Sequence, residues 1–326
     1  MAPANRARRP LRLILGSMNF GPQVDLDGSR AMIETFLDDG NSEIDSAYVY
    51  NNGETERFLG EVLPHLDERR YSIATKVNPR ITGRLDADAI RAQLDESLER
   101  MGRKSVDLLY LHFPDPNTPL ETTLAACAEQ HAAGKFHSLG LSNYPAWEVV
   151  HIWHLCDRNG WPKPAVYQGL YNALSRNVEA ELLPALRRLG IRFYAYNPLA
   201  GGILAGKYAN HSDEPAPGRF TVRPNYRKRY WKASFFDALD QIAKTCGESE
   251  ISLVEASYRW LAHHSALTAN DGVILGASSP LQLRQNLDSF SQEPLPPPVA
   301  EAFEAAWGTV RSDSPDYFRT PDQPSS

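Results

Sequence analysis

Residues 106–142, VDLLYLHFPDPNTPLETTLAACAEQHAAGKFHSLGLS, carry an apolar run of strand length, then a helical stretch, then a second apolar run. Runs as continuously apolar as VDLLYLH (106–112) suit strands buried on both faces, and a helix joining two of them makes the pair parallel. The alternation continues in both directions. LRLILG (11–16), SEIDSA (42–47) and YSIATK (71–76) precede this stretch, and AVYQGL (165–170), IRFYAYN (191–197) and GVILGAS (272–278) follow it. Eight strand patterns interleaved with helices predict an α/β fold, a single closed (β/α)8 TIM barrel.

The intervening stretches include SRAMIETFLDD (29–39), DADAIRAQLDESLERM (86–101), PLETTLAACAEQHAA (119–133) and AWEVVHIWHLCDRNG (146–160). In the second, Ile90, Leu94, Leu98 and Met101 fall on one face while Arg91, Asp95 and Glu99 fall on the other, as in an outer-ring helix whose stripe packs on the barrel. The repeat breaks once. From Asn197 to about Trp231 a Pro-, Gly- and Arg-rich segment follows the seventh strand, and it reads as a long structureless loop of the kind used for lids and binding. EPLPPP (293–298) ends the barrel pattern as a linker, and VAEAFEAAWGTVR (299–311) predicts one more helix. The expected layout is a flexible N-terminus over 1–10, the barrel over 11–311 and a C-terminal tail over 312–326.

Of the 326 residues, 42% are hydrophobic and 23% charged, which leaves room for a large core. The net charge of −6 and the lack of a long basic run past the first dozen residues argue against nucleic acid as a partner. RARRPLRLIL (6–15) has too few apolar residues for a signal-peptide core, and no apolar run reaches membrane-spanning length, so a cytoplasmic protein with no membrane contact is expected. Cys127, Cys156 and Cys246 are odd in number and widely spaced. They fit reduced core thiols and offer no metal-ligand pattern.

Four residues fall at or just after strand ends, where a β/α barrel exposes its chemistry. Asp45 and Tyr50 lie in EIDSAYVYNNGETE, Lys76 closes YSIATK and His112 closes VDLLYLH. Each alone has a plainer reading: a turn cap, a packed tyrosine, a solvated strand end, a structural histidine. Together they form a proton-delivery set for a carbonyl, with a phenol as acid, an ammonium to lower its pKa from about 10, a carboxylate to hold the ammonium and an imidazole to orient the substrate. Neither a G-x-G-x-x-G after the first strand nor a Walker motif is present. GASSPLQLRQN (276–286) instead turns from the eighth strand into a helix whose amides suit an anion, although Ser278 or Ser279 could simply cap that helix.

The tetrad spacing, together with KFHSLGLSNYPAWEV (135–149), PAVYQGLYNALSR (164–176), FYAYNPLAGGILAGKY (193–208) and ILGASSPLQLRQNL (274–287), resembles the aldo-keto reductase superfamily. Within it the chain is most similar to the aflatoxin-aldehyde and succinic-semialdehyde reductase branch, from about Leu13 to Arg319. The resemblance implies NADPH-dependent reduction of a small-molecule carbonyl, with Tyr50 as proton donor, Lys76 and Asp45 as its partners and His112 orienting the carbonyl. It assigns Ser142, Asn143 and Gln168 to the nicotinamide carboxamide. Asn197 takes the place of a stacking tyrosine on the seventh strand, and with Pro198, Leu199, Gly201 and Lys207 follows the pyrophosphate. Arg219 is a further cofactor contact, and Ser278, Gln282 and Asn286 meet the adenosine end. Arg284, where relatives often carry an acid, is placed to pair the 2′-phosphate. Tyr226, Arg229 and Arg319 match residues that bind a substrate carboxylate in this branch, and the branch suggests a homodimer.

Two other readings exist. The chain could be a cofactor-binding docking protein resembling the cytoplasmic β-subunits of potassium channels, or a barrel isomerase or lyase using Lys76 as a Schiff base. The matched Asp45 and Tyr50 and the cofactor segments count against the second.

Overall fold

The computed structural model describes residues 11–208, 211–212, 219–222 and 224–319. Strands β1 (Arg12–Gly16), β2 (Glu43–Asp45), β3 (Ser72–Val77), β4 (Val106–Leu111), β5 (Phe136–Ser142), β6 (Pro164–Leu170), β7 (Arg192–Tyr196) and β8 (Gly272–Leu275) pair in sequence order, all parallel, and β1 pairs with β8 to close the barrel. The predicted TIM barrel is the observed one.

The continuous apolar runs conceal a period of two. Leu109 and Leu111 of β4, Ile73 and Val77 of β3 and Phe193 and Ala195 of β7 pack outward against the helices. Ile14, Ala74, Leu108, Tyr110, Val166, Tyr194 and Ile274 fill the interior. Because successive side chains of a strand point to opposite faces, the inner-face parity of Ala74, Tyr110 and Val166 carries forward to Lys76, His112 and Gln168. Inner-face residues at the C-terminal ends of the strands therefore meet at one mouth. Space inside is scarce: a Cβ on Gly140 would lie 2.4 Å from the Tyr110 ring, so β5 passes Tyr110 only as glycine. At the opposite end the barrel is plugged by Glu43, which accepts from Tyr194 Oη at 2.6 Å and pairs with Arg12 at 3.2 Å.

The helix Ala87–Arg100 begins where Asp86 accepts a hydrogen bond from the Ala89 amide, and it buries Ile90, Leu94 and Leu98 as the stripe predicts. Burying each of these side chains contributes roughly 1.5–3 kcal/mol. Cys127, Cys156 and Cys246 are free and buried, and burial pushes their thiols up to about 12, 12 and 11.

Two expectations need correction. The segment after β7 is not structureless: Ala200–Ala205 and the helices Arg219–Val222 and Pro224–Tyr230 give it local structure. Phe220, Trp231 and Tyr208 pack edge to face there, which gives the segment an aromatic core of its own. The proline run is not a linker up to residue 298, because the helix Pro297–Val310 begins inside it with proline in its first turn, where a missing N–H costs nothing. That helix is held by Glu304, which takes both its oxygens to Nη1 of Arg176 at 2.8 Å. The tail from 312 has neither helix nor strand among the described residues, and it packs on the barrel through the buried Tyr317 and Arg319. Residues 1–10 and 320–326, the expected flexible N-terminus and the end of the tail, lie outside the described residues.

Candidate active site

Lys76 is fully buried at the end of β3. Its Nζ lies 2.7 Å from each oxygen of Asp45, 2.6 Å from the Ser46 carbonyl and 3.3 Å from the Tyr50 hydroxyl. Asp45 Oδ1 also accepts from Gln168 Nε2 at 2.8 Å. Burial lowers the pKa of Lys76, while the charge and hydrogen bonds of Asp45 oppose the shift. The ammonium donates at short range to Asp45 and Ser46 and at a longer 3.3 Å to the Tyr50 hydroxyl, which it polarises. Such a lysine is a fixed charge, poorly disposed to act as the free amine that a Schiff base requires.

Tyr50 enters on an irregular turn, Tyr50–Gly53, in which Asn51 and Asn52 adopt left-handed backbone. Asn51 secures the turn by donating to the Met18 and Phe20 carbonyls at 2.7 and 3.1 Å. The His112 ring stands edge-on to Tyr50, with centroids 6.2 Å apart, and stacks on Phe113 at 4.6 Å. Desolvation, reinforced by Lys76 and Arg80, pushes its pKa well below the usual 6.5. His112 keeps a partly exposed edge toward the cavity but is otherwise enclosed by protein, and it is neutral at physiological pH. The Tyr110 ring lies 5.4 Å from Lys76 Nζ. Burial first, then the charge of Asp45, raises its phenol far above 10, so that hydroxyl stays protonated.

These residues open into a cavity of about 1060 Å³ lined by Asp45, Tyr50, His112, Ser142, Asn143, Gln168, Asn197, Pro198, Leu199, Gly201, Lys207, Ser278 and Gln282, and also by Tyr226 and Arg229. Asn143 and Asn197 hold positive φ of 65° and 58°, a conformation that non-glycine residues adopt rarely and most often at functional sites. Asn143 Nδ2 donates to the His112 carbonyl at 2.9 Å and to Ser142 Oγ at 3.0 Å. At the far end Ser279, not Ser278, caps the helix Pro280–Phe290, accepting from the Gln282 amide at 3.2 Å. Gln282 folds back onto Ser278 through Oε1.

Three expected contacts among the described side chains do not line this cavity. Asn286 is buried behind the wall and donates to the Gly276 carbonyl at 3.3 Å. Arg284 stands outside it and faces Asp39 at 3.8 Å. Arg319 lies behind Asn143, whose carbonyl accepts from the Arg319 amide at 2.9 Å. Arg219 opens a short helix, but its side chain is not among those described.

Sequence reasoning missed Arg80 and Phe113, both of which line the cavity. Arg80 Cζ sits 3.9 Å over the Phe113 ring. Asn78 caps the one-turn helix Pro79–Thr82 and fixes the direction of Arg80, accepting from its amide at 2.9 Å. After burial, the largest influences lowering the pKa of Arg80 are Arg319 and then Arg229. Arg319 Nη2 is buried without a hydrogen-bond partner among the described residues. Arg229 and Arg319 thus converge on Arg80, whose own charge acts on His112. The signal in the sequence was the Asn-Pro-Arg that follows Lys76 and Val77, a cap and a helix-starting proline set directly after a catalytic strand end.

A cavity of this size suits a dinucleotide with a small second molecule. Its donors are distributed accordingly, with amides and hydroxyls of Ser142, Asn143 and Gln168 beside the tetrad, Lys207 along the wall and a capped helix N-terminus at the far end. Among the described residues no cluster of His, Cys, Asp and Glu is placed to hold a metal ion, and no helix is long and apolar enough to cross a membrane.

A closed β/α barrel whose mouth joins a buried Asp–Lys pair to a phenol and a neutral imidazole defines a barrel oxidoreductase. The chain belongs to the aldo/keto reductase family, whose model matches residues 12–307. It is 47% identical to aflatoxin B1 aldehyde reductase member 2 of Mus musculus, over 97% of this chain and 90% of that protein. It is 46% identical to human aldo-keto reductase family 7 member A3, over 94% and 96%. A more distant relative is oxidoreductase sirO of Leptosphaeria maculans, 34% identical over 97% and 99%.

Proposed function

We propose that this chain reduces aldehydes or ketones to alcohols with NADPH, and that Tyr50 delivers the proton. The observation that carries this reading is the Lys76 ammonium held between Asp45 and the Tyr50 hydroxyl beneath a neutral His112. The cofactor supplies the hydride. Ser142, Asn143 and Gln168 would hold its nicotinamide amide, Asn197 to Gly201 and Lys207 its pyrophosphate, and Ser278 and Gln282 its adenosine end. A neutral imidazole donates one hydrogen bond to the carbonyl oxygen, which orients and polarises it without adding a competing charge. As the oxygen becomes negative, Tyr50 protonates it, and the resulting phenolate is stabilised by the ammonium 3.3 Å away.

Removing only the acid tests this. Tyr50→Phe should retain NADPH binding, read by quenching of protein fluorescence, while kcat falls at least the ~10²-fold typical of a lost general acid. A variant that kept most of its kcat would remove Tyr50 from the mechanism.

The convergence of Arg80, Arg229 and Arg319 favours substrates that carry a carboxylate, because cations enclosed together are stabilised by an anion. Loss of turnover with cofactor binding retained in the wild-type protein would instead favour the docking reading.

A further inference from the structure

The turn that presents Tyr50 rests on a buried ion pair that the reaction itself does not use. Glu56, in the helix Glu54–Val62, has no exposed surface. Its Oε1 accepts from Thr75 Oγ1 at 2.6 Å and its Oε2 from Arg100 Nη1 at 3.1 Å. Thr75 is the chain neighbour of Lys76, on the opposite face of β3. Arg100 Nη1 also donates to the Tyr48 carbonyl at 3.2 Å, and its guanidinium lies 4.4 Å over the Tyr48 ring. Gly53, at φ 89°, completes the contact: a Cβ there would lie 2.6 Å from Arg100 Cζ. The Tyr48 amide in turn donates to the Lys76 carbonyl at 3.3 Å. Residues 48–53 and 75–76 are thus tied to one carboxylate and one guanidinium.

A buried ion pair is weak evidence of a stabilising role, since apolar side chains of similar volume often replace one at no loss of stability. The charges of this pair do bear on the site: the Glu56 carboxylate acts with Asp45 in keeping the Lys76 ammonium charged.

We propose that Glu56 and Arg100 are positioning residues for proton transfer, fixing the turn that carries Tyr50 and completing, with Asp45 and Lys76, a buried set of alternating charges that sets the potential at the Tyr50 hydroxyl. The titratable groups facing this set are Asp45 from β2, Tyr110 from β4 and His112 just after it, Tyr48 over Arg100, Glu56, and Arg100 with its second partner Glu96 from the helix Ala87–Arg100, Tyr48 Oη also donating to Glu96. Arg80 acts on the same region through His112. The inference rests on Tyr50 being the acid.

The test is the pH dependence of kcat/KM for 4-nitrobenzaldehyde reduction with NADPH. Reduction requires the protonated phenol, so the rate falls as pH rises through its pKa. Glu56→Gln keeps the shape and can still accept from Thr75 but removes a negative charge. Asp45, the stronger partner, still holds the Lys76 ammonium charged, so the lost negative charge favours the phenolate, and the falling limb should move to lower pH by about half a unit or more. Arg100→Gln removes a positive charge and should move the limb to higher pH, a second reading that stands even if Glu56→Gln does not fold. Opposite shifts from the two halves of one pair are not produced by a loosened scaffold. Reduced kcat with the limb unmoved in the variants that fold would overturn the proposal and leave the pair as structural support only. Tyr50→Phe separates the two ideas. If it remains active, the reading of Tyr50 as acid fails; if it is inactive while neither limb moves, only the present inference fails.

Discussion

At pH 7 the His112 imidazole is neutral, and its neutrality has a cost that appears in acid. Its folded pKa is depressed, so below about 6.5 the unfolded chain takes up a proton that the folded site refuses. Its contribution to stability is therefore complete above about 6.5 and is lost progressively as pH falls toward the folded value, by at most about 1.4 kcal/mol per pH unit. Thermal melts of wild type and His112→Asn between pH 7.5 and 5 should show the wild-type Tm falling more steeply. Parallel curves would mean that His112 is protonated in the folded protein too. Asp45, Tyr50, Lys76 and His112 were legible in the sequence because each sits at a strand end and their chemistries match. Arg80, Glu56 and Arg100 were not. A lone charge in a helical stretch such as GETERF or DESLERM reads as a solvated face, and only packing shows that Glu56 is sealed between Thr75 and Arg100.

At the scale of elements, the barrel works because period-two strands deliver inner-face residues to one rim while helices bury the outer faces. The sequence located the strands but not all of their ends. β8 stops at Leu275, and the following Gly276 to Ser279 leave the sheet to start a helix that Ser279 caps. On that helix Arg284 has a half-exposed guanidinium 3.8 Å from the buried Asp39 carboxylate, a contact too long for a strong hydrogen bond, so the guanidinium can turn toward a phosphate. A charge-assisted contact is worth about 1.5–3 kcal/mol. We therefore expect Arg284→Glu to weaken NADPH binding roughly ten-fold or more and to leave NADH binding almost as it was, as titration of both coenzymes by fluorescence would show. Equal weakening of both would assign Arg284 to folding through Asp39.

At the scale of the molecule, the third cation of the proposed carboxylate site comes from the far end of the chain and lies behind Asn143. Arg319 reaches the barrel because its amide donates to Asn143 and because Tyr317 Oη accepts from the Ala146 amide at 3.1 Å. Arg229 arrives from the segment after β7 and Arg80 from the turn after β3. Truncating one member of an enclosed charged set costs about 2 kcal/mol or more when its partner is an anion. Arg319→Ala should accordingly raise KM for succinic semialdehyde about ten-fold more than for 4-nitrobenzaldehyde. If both substrates respond alike, the tail is not a substrate-binding element and the natural carbonyl is neutral.

The sequence by itself determined the barrel, its eight strands, the tetrad and the family, because each of these is written in local pattern: apolar runs, helical stripes and reactive residues at strand ends. Tertiary structure alone decided which charges share an enclosure. Arg80, Arg229 and Arg319 stand up to 239 residues apart, the separation of the first and last of their numbers, and Glu56 meets Arg100 across 44. No periodicity encodes such meetings. They follow from barrel closure, which places the loops of distant strands at one rim, and from burial, which turns ordinary surface-type residues into charges that water no longer screens.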